Sequence, residues 1–370
     1  MMLLETIELR HVRMRLQSPF ETSFGVEHER DCLILKVEAE GLVGWGECAV
    51  SSFPGYSYET TGTAWHVLSE FFLPAVLGQR IADVGDFISL LARYKGHNMA
   101  RAGLEMALWD LIGKTAQQPL AHLLGGSRQR VPVGVSVGIQ PDTKALLNTI
   151  ETYVQVGYQR IKLKIKPDRD LEDLRAARQA FPDLKLQADA NSAYTLDDQD
   201  VFVGMDTLGL LLIEQPLAED DLIDHAALQA VLNTPLCLDE SIRSRRHARQ
   251  ALEINACRVI NIKSGRVGGL AEALRIHDLC NAQGIPVWCG GMLETGIGRA
   301  ANLALASLPG FTLPGDISAS DRYYAEDIAE PRFELNSNST IDVPDQPGLG
   351  VEVVPDTLER ATLRKQCFHT

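Results

Sequence analysis

Apolar and polar positions along this chain keep two different periods. Over the first sixty residues they alternate. LLETIELRHVRMRL, CLILKVEAEG and GLVGWGEC read as three strands, the last two punctuated by Gly41 and Gly44. Between the first two lies SPFETSFGVEHER, polar and marked by Pro and Gly, which predicts a mobile loop. Its two aromatics, Phe20 and Phe24, are expected to form a lid over a site, or else to fold into local core. From Asn98 to Lys114 the period is helical, with Leu104, Ala107, Leu108 and Leu111 in one stripe behind Asn98 as the cap. LAHLLGG then closes a further helix.

From Val131 the pattern repeats: a short apolar run, then an amphipathic stretch such as LEDLRAARQAF or GGLAEALRIHDLCNAQG. The apolar runs end at Ser136, Lys164, Asp189, Glu214, Asp239, Lys263, Trp288 and Asp316, a pitch of about 25 residues. A strand followed by a helix is the βα unit, and eight of them predict a TIM-type (β/α) barrel over residues 126–316. Residues 1–125 then form an α+β capping domain. Residues 317–370, with the strand-like runs TIDVP and GVEVV, are expected to return to it. A leucine-rich solenoid has a similar period, but its LxxLxLxxN signature is absent.

Chemistry in such barrels sits at the C-terminal strand ends, and the five consecutive ends from Lys164 to Lys263 each carry a lysine or a carboxylate. Asp189, Glu214 and Asp239 end consecutive strands, which lie about 4.8 Å apart, so three acids at equal height are expected to converge on one point. Bare, each close pair would repel by roughly 3–4 kcal/mol, and a divalent cation removes that cost. Oxygen-only ligands favour Mg²⁺ or Mn²⁺ over zinc. The alternative is three acids that each cap the next helix. Lys162 and Lys164 in RIKLKIK share one strand face about 7 Å apart. Their repulsion, roughly 2.4 kcal/mol, is expected to move Lys164 toward the range of a general base. Lys263 stands four strands away, across the mouth. A cation gripping a carboxylate, with lysines on two faces, suits removal of an α-proton through an enediolate and its return to the other face. With a leaving group, the same start gives elimination. GGMLETGIG lacks GK[ST] and is not a P-loop; its role is to bring backbone amides close to a substrate at the seventh strand end.

Composition narrows the partners. The net charge of −14 argues against nucleic acid or an anionic membrane surface, and Arg243, Arg245 and Arg246 read as a solvated helix face. No apolar run reaches the ~20 residues that span a bilayer, and MMLLETIELR is not a signal peptide. Seven cysteines without a CxxC pair read as mostly buried free thiols in a reduced, cytoplasmic protein.

The KxK, Asp/Glu/Asp and Lys series resembles the muconate-lactonising-enzyme branch of the enolase superfamily, whose barrel is (β/α)7β. SPFETSFG, RIKLKIKP, ADANSAYTL, IEQPLAEDDLIDH, TPLCLDES and CGGMLETGIGRA are similar to its N-succinylamino acid racemase / o-succinylbenzoate synthase group. The resemblance implies Lys164 and Lys263 as the acid/base pair, Lys162 as modulator, and Mg²⁺ (or Mn²⁺ or another divalent cation) on Asp189, Glu214 and Asp239. It also implies substrate contacts from Phe20, Phe24, Tyr56, Ser136, Asn191, Gly291 and Met292, and from Arg266, which resembles an arginine of racemising members. The expected substrate is a small carboxylate, an N-succinyl or other N-acyl amino acid, with dehydration to o-succinylbenzoate as a second activity; the expected assembly is a homo-oligomer. Dipeptide epimerase and muconate cycloisomerase are alternatives. The former is disfavoured because the eighth strand ends GDIS rather than Asp-x-Asp. A binding protein on the same barrel would lack one of the five charges, and none is missing.

Overall fold

The computed structural model describes residues 1–370. Its first three strands, β1 (Thr6–Thr22), β2 (Gly25–Ala39) and β3 (Leu42–Cys48), pair antiparallel, with Leu9 opposite Leu35 and Leu35 opposite Gly46. Alternation buries Ile7, Leu9, Leu33, Leu35 and Val37 completely. The expected mobile loop is instead the far end of this hairpin. Thr22 pairs with Gly25 across a turn at Ser23–Phe24, after a bulge between Arg15 and Phe20. What extends it is the barrel. Ile139 N–H donates to Glu21 O (2.9 Å), Lys166 pairs with Glu21 (2.9 Å) and Ser23 Oγ donates to Asn191 O (3.3 Å). None of those partners is local, so local polarity misled.

Helix α1 (Asn98–Ala116) lies on β3 with its Leu104, Ala107, Leu108 and Leu111 stripe fully buried. Gly46 permits the approach, because a Cβ there would stand 2.0 Å from Gly103 O. Asn98 is not the cap. The Glu59 carboxylate accepts from the N–H groups of Met99 (2.9 Å) and Ala100 (3.1 Å). Asn98 Nδ2 donates instead to the carbonyls of Arg243 and Arg266, tying the helix to the barrel.

The barrel sheet has seven parallel strands, adjacent in chain order: β4 (Val135–Val137), β5 (Arg160–Lys164), β6 (Lys185–Asp189), β7 (Ile213–Glu214), β8 (Leu236–Leu238), β9 (Val259–Ile262) and β10 (Val287–Cys289). The helices α2 (Thr143–Val156), α3 (Leu171–Ala180), α4 (Gln199–Met205), α5 (Leu222–Val231), α6 (Arg245–Glu253), α7 (Leu270–Ala282) and α8 (Gly296–Ala306) follow in turn. The eighth position is filled, but not by a regular strand. Gly315 N donates to Pro132 O (3.0 Å), Gly134 N to Gly315 O (2.8 Å) and Asp316 N to Cys289 O (2.9 Å), so this segment joins both sheet edges. Pro314 has no N–H to give, and before it the segment keeps only a longer bond to β10, from Leu313 N to Val287 O (3.4 Å).

Strand β11 (Thr362–His369) pairs with β1 as the fourth strand of the N-terminal sheet. The runs expected there go elsewhere. Thr340–Asp342 pairs with Arg130–Pro132 below β4, and Glu352–Val353 pairs with Ala329–Glu330. Six cysteines are buried and Cys367 is exposed. Arg245 and Arg246 are exposed, while Arg243 is half-buried against the Tyr58 ring. No helix is long and apolar enough to cross a membrane.

Candidate active site

Strand alternation turns Arg160, Lys162 and Lys164 of β5 into the barrel. Asp189 lies opposite Lys164, and Glu214 opposite Asp189. Equal height ends there. Glu214 is opposite Cys237, so Asp239 stands two residues further along its strand. Barrel strands are staggered by shear, which sequence pitch cannot display.

All three carboxylates are fully buried beneath the lysines. Lys162 Nζ lies 2.8 Å from Asp189, 2.8 Å from Glu214 and 2.6 Å from Asp316. Lys164 Nζ lies 2.7 Å from Asp189 and 2.6 Å from Asn191 Oδ1. Across the mouth, Lys263 Nζ is 2.7 Å from Asp239 and 3.1 Å from the Tyr56 hydroxyl. Arg266 also pairs with Asp239, and donates to the carbonyls of Ile242 (2.7 Å) and Asn261 (2.6 Å). Each of the three acids thus has cationic partners of its own: Lys162 and Lys164 for Asp189, Lys162 for Glu214, and Lys263 and Arg266 for Asp239.

Burial works against the charge of Asp189, but Lys162 and Lys164 outweigh it and hold its carboxyl far below the usual range. Glu214 is pushed up to about 7, first by burial and then by Asp189. Burial opposes the charge of Lys162, yet Asp189, Asp316 and Glu214 keep it firmly cationic. Lys164 is lowered chiefly by burial; repulsion from Lys162, expected to be the cause, comes after burial and the opposing pull of Asp189. Lys263 is raised, since Tyr56, Glu214 and Glu240 outweigh burial and Lys162.

A cavity opens above these groups, lined by Lys162, Lys164 and Lys263. Phe20, Phe24 and Tyr56 wall it from the N-terminal side, and Ser136, Asn191, Gly291 and Met292 from the barrel. Phe20 joins both expected roles: it faces the cavity, yet it is buried, edge-on to Tyr323 with centroids 6.5 Å apart. Arg266 does not line the cavity. It lies behind Tyr56, whose hydroxyl is 3.3 Å from Nη1.

Sequence reasoning placed Asp316 at a strand end but gave it no partner. It joins Arg160 (2.5 Å) to Lys162. The signal was present: Arg160 shares the inward parity of Lys162 and needs an acid. Glu240 was also missed; Asn191 donates to its Oε1 (2.8 Å), while Oε2 is buried without a partner.

Residues 5–125 match the family described as mandelate racemase / muconate lactonizing enzyme, N-terminal domain, and residues 145–357 match the enolase C-terminal domain-like family. The chain belongs to the enolase superfamily. It is 50% identical over 367 residues to an o-succinylbenzoate synthase of Geobacillus stearothermophilus, covering 99% of this chain and 98% of that protein. It is also 50% identical over 365 residues to an N-succinylamino acid racemase of Amycolatopsis, covering 98% and 99%. A crystal structure of an enolase superfamily member from Listeria innocua superposes with a TM-score of 0.95 at 40% identity, covering 100% of both chains.

Enolase superfamily members generally use a divalent metal. The donor chemistry here suits one. Asp189, Glu214 and Asp239 supply only carboxylate oxygens at full burial.

Proposed function

We propose that this chain is a Mg²⁺-dependent cytoplasmic enzyme that racemises N-succinyl or other N-acyl amino acids. One observation carries the reading: Lys164 on β5 and Lys263 just past the end of β9, four strand positions apart around the barrel, line a single cavity.

Asp189, Glu214 and Asp239 would hold the cation through their carboxylate oxygens. When bound it supplies the positive charge against which a substrate carboxylate can accept electron density as the α-proton leaves. The chain's own groups do the rest. Lys164, steadied by Asn191, takes the α-proton at Nζ from one face. Lys263, steadied by Asp239 and Tyr56, delivers a proton from Nζ to the other. The reverse reaction exchanges their roles. Lys162, held by three carboxylates, stays charged and positions Asp189 and Glu214. Phe20, Phe24 and Met292 exclude water from the planar intermediate.

Dehydration to o-succinylbenzoate, a lyase reaction, is the second reading. The equal identity to relatives of both names favours it alongside the first. It needs one lysine to take a proton while the other remains cationic. Dipeptide epimerisation is disfavoured, since Asp316 is already engaged by Arg160 and Lys162. The test is to assay purified protein with Mg²⁺ against N-succinyl amino acids, by chiral separation, and against the cyclohexadiene precursor of o-succinylbenzoate. Turnover of the first supports racemisation; turnover of neither overturns the proposal.

A further inference from the structure

All three lysines that line the cavity belong to the barrel, and all serve the reacting centre. The N-terminal side contributes Phe20, Thr22, Phe24, Glu27, Arg30, Ser51 and Tyr56, among which Arg30 is the sole basic side chain. Arg30 is 2% exposed. Only its Nη2 has a protein partner, the carbonyl of Ala49 at 2.6 Å, and its Nε is buried without one. No carboxylate lies within ion-pair distance. Other buried arginines are better served: Arg160 pairs with Asp316, Arg266 with Asp239, and Arg299 donates to two backbone carbonyls. Burial opposes its charge and Glu27 and Glu47 offset that from a distance, so what the guanidinium lacks is a direct anionic partner, which a bound anion would supply.

We infer that Arg30 is the receptor for the distal carboxylate of the substrate's succinyl chain. The inference rests on the proposed function. There, the carboxylate next to the reacting carbon occupies the barrel floor, so a second carboxylate carried on a flexible acyl arm reaches the opposite wall. A guanidinium fits it better than an ammonium, since its planar fork offers two parallel donors. The same arm belongs to an N-succinyl amino acid and to the precursor of o-succinylbenzoate, so one arginine serves both. Glu27 sets the strength of this site. Its Oε1 accepts from Ser51 Oγ (3.2 Å), and its Oε2 is buried with no partner. It lines the same wall, and its charge offsets part of the arginine's without contacting it. An arriving carboxylate therefore meets a cation moderated by a nearby anion, which permits release as well as capture.

The experiment compares kcat and KM for N-succinyl and N-acetyl forms of one amino acid in the Mg²⁺-loaded full-length protein. N-succinyl substrate should be preferred by the wild type. Arg30→Gln should lower the succinyl-to-acetyl ratio of kcat/KM at least tenfold, chiefly through KM. Glu27→Gln should raise that ratio, an effect a merely structural role for the pair would not produce, and it serves as the test should Arg30→Gln fail to fold. An unchanged ratio in both variants, or an equal fall for both substrates, overturns the assignment. Turnover of neither substrate by wild type would count against the proposed function alone. Arg30 is then judged by calorimetric titration with N-succinylglycine and N-acetylglycine: tighter succinyl binding that Arg30→Gln removes supports it, and equal affinities overturn it.

Discussion

Glu105 supplies a prediction whose size follows from the geometry. It lies on α1, 1% exposed, and its Oε1 accepts from the Ala271 N–H at the first turn of α7 (2.8 Å) and from Trp109 Nε1 (3.1 Å). Burial pushes its carboxyl from an ordinary 4.5 up to about 7. A raised acid favours the protonated folded state. Its stabilisation is fully present below pH 4.5 and is lost as pH rises through 7. At about 1.4 kcal/mol per pH unit the loss is about 3 kcal/mol. For a chain of 370 residues, unfolding entropy is about 0.8 kcal/mol per kelvin, so the loss equals about 4 °C in Tm. Glu105→Gln keeps an acceptor for Ala271 and removes the titration. Scanning calorimetry from about pH 5 to about pH 8 covers most of that loss and should show wild-type Tm falling by about 3 °C relative to the variant. Glu47, also pushed up to about 7, accepts from Thr295 and Gly298 at the start of α8 and remains in both proteins, so the difference isolates Glu105. Parallel profiles would refute the reasoning.

Further expectations concern the site. Lys164→Ala and Lys263→Ala should each abolish racemisation, while in deuterated buffer each retains α-proton exchange into one enantiomer, and the enantiomer switches between them. Wild-type racemisation by Lys263→Ala would refute two-base chemistry. Glu214→Gln should fold but lose Mg²⁺ affinity and nearly all turnover, as read by metal titration and assay; full activity after exhaustive chelation would be the contrary result. Phe20→Ala should raise KM and lower Tm by about 4 °C, from the loss of about 3 kcal/mol of ring packing. An unchanged Tm would mean the ring is not part of the core. Gly46→Ala drives a methyl into Gly103 O and should lower Tm without altering the substrate preference of any surviving activity.

The lysines and acids at the strand ends were legible before any coordinates. Inward parity is a property of a single strand, so RIKLK alone fixes that Arg160, Lys162 and Lys164 share a face. The repeated run-then-helix pitch likewise orders the strands around the barrel. Phe20, Phe24, Tyr56, Ser136, Asn191, Gly291 and Met292 meet at one cavity, while Arg266 lies behind it.

What periodicity could not carry is the relation between segments distant in sequence. Stagger between β7 and β8 depends on barrel shear, and it alone puts Asp239 above Glu214. The hairpin of β1 and β2 extends to Ser23 because Asn191, Ile139 and Lys166 receive its tip. Glu59, Glu47 and Glu105 cap helices from outside them, which no local cap motif announces. Arg30 is the last residue of the polar run SPFETSFGVEHER, and nothing beside it in sequence marks it. Only packing reveals it as buried, unpaired and facing the lysines, because burial is decided by what the rest of the chain lays over a residue. Sequence determined which groups point inward; the tertiary structure decided at what height they stand and which of them are left without a partner.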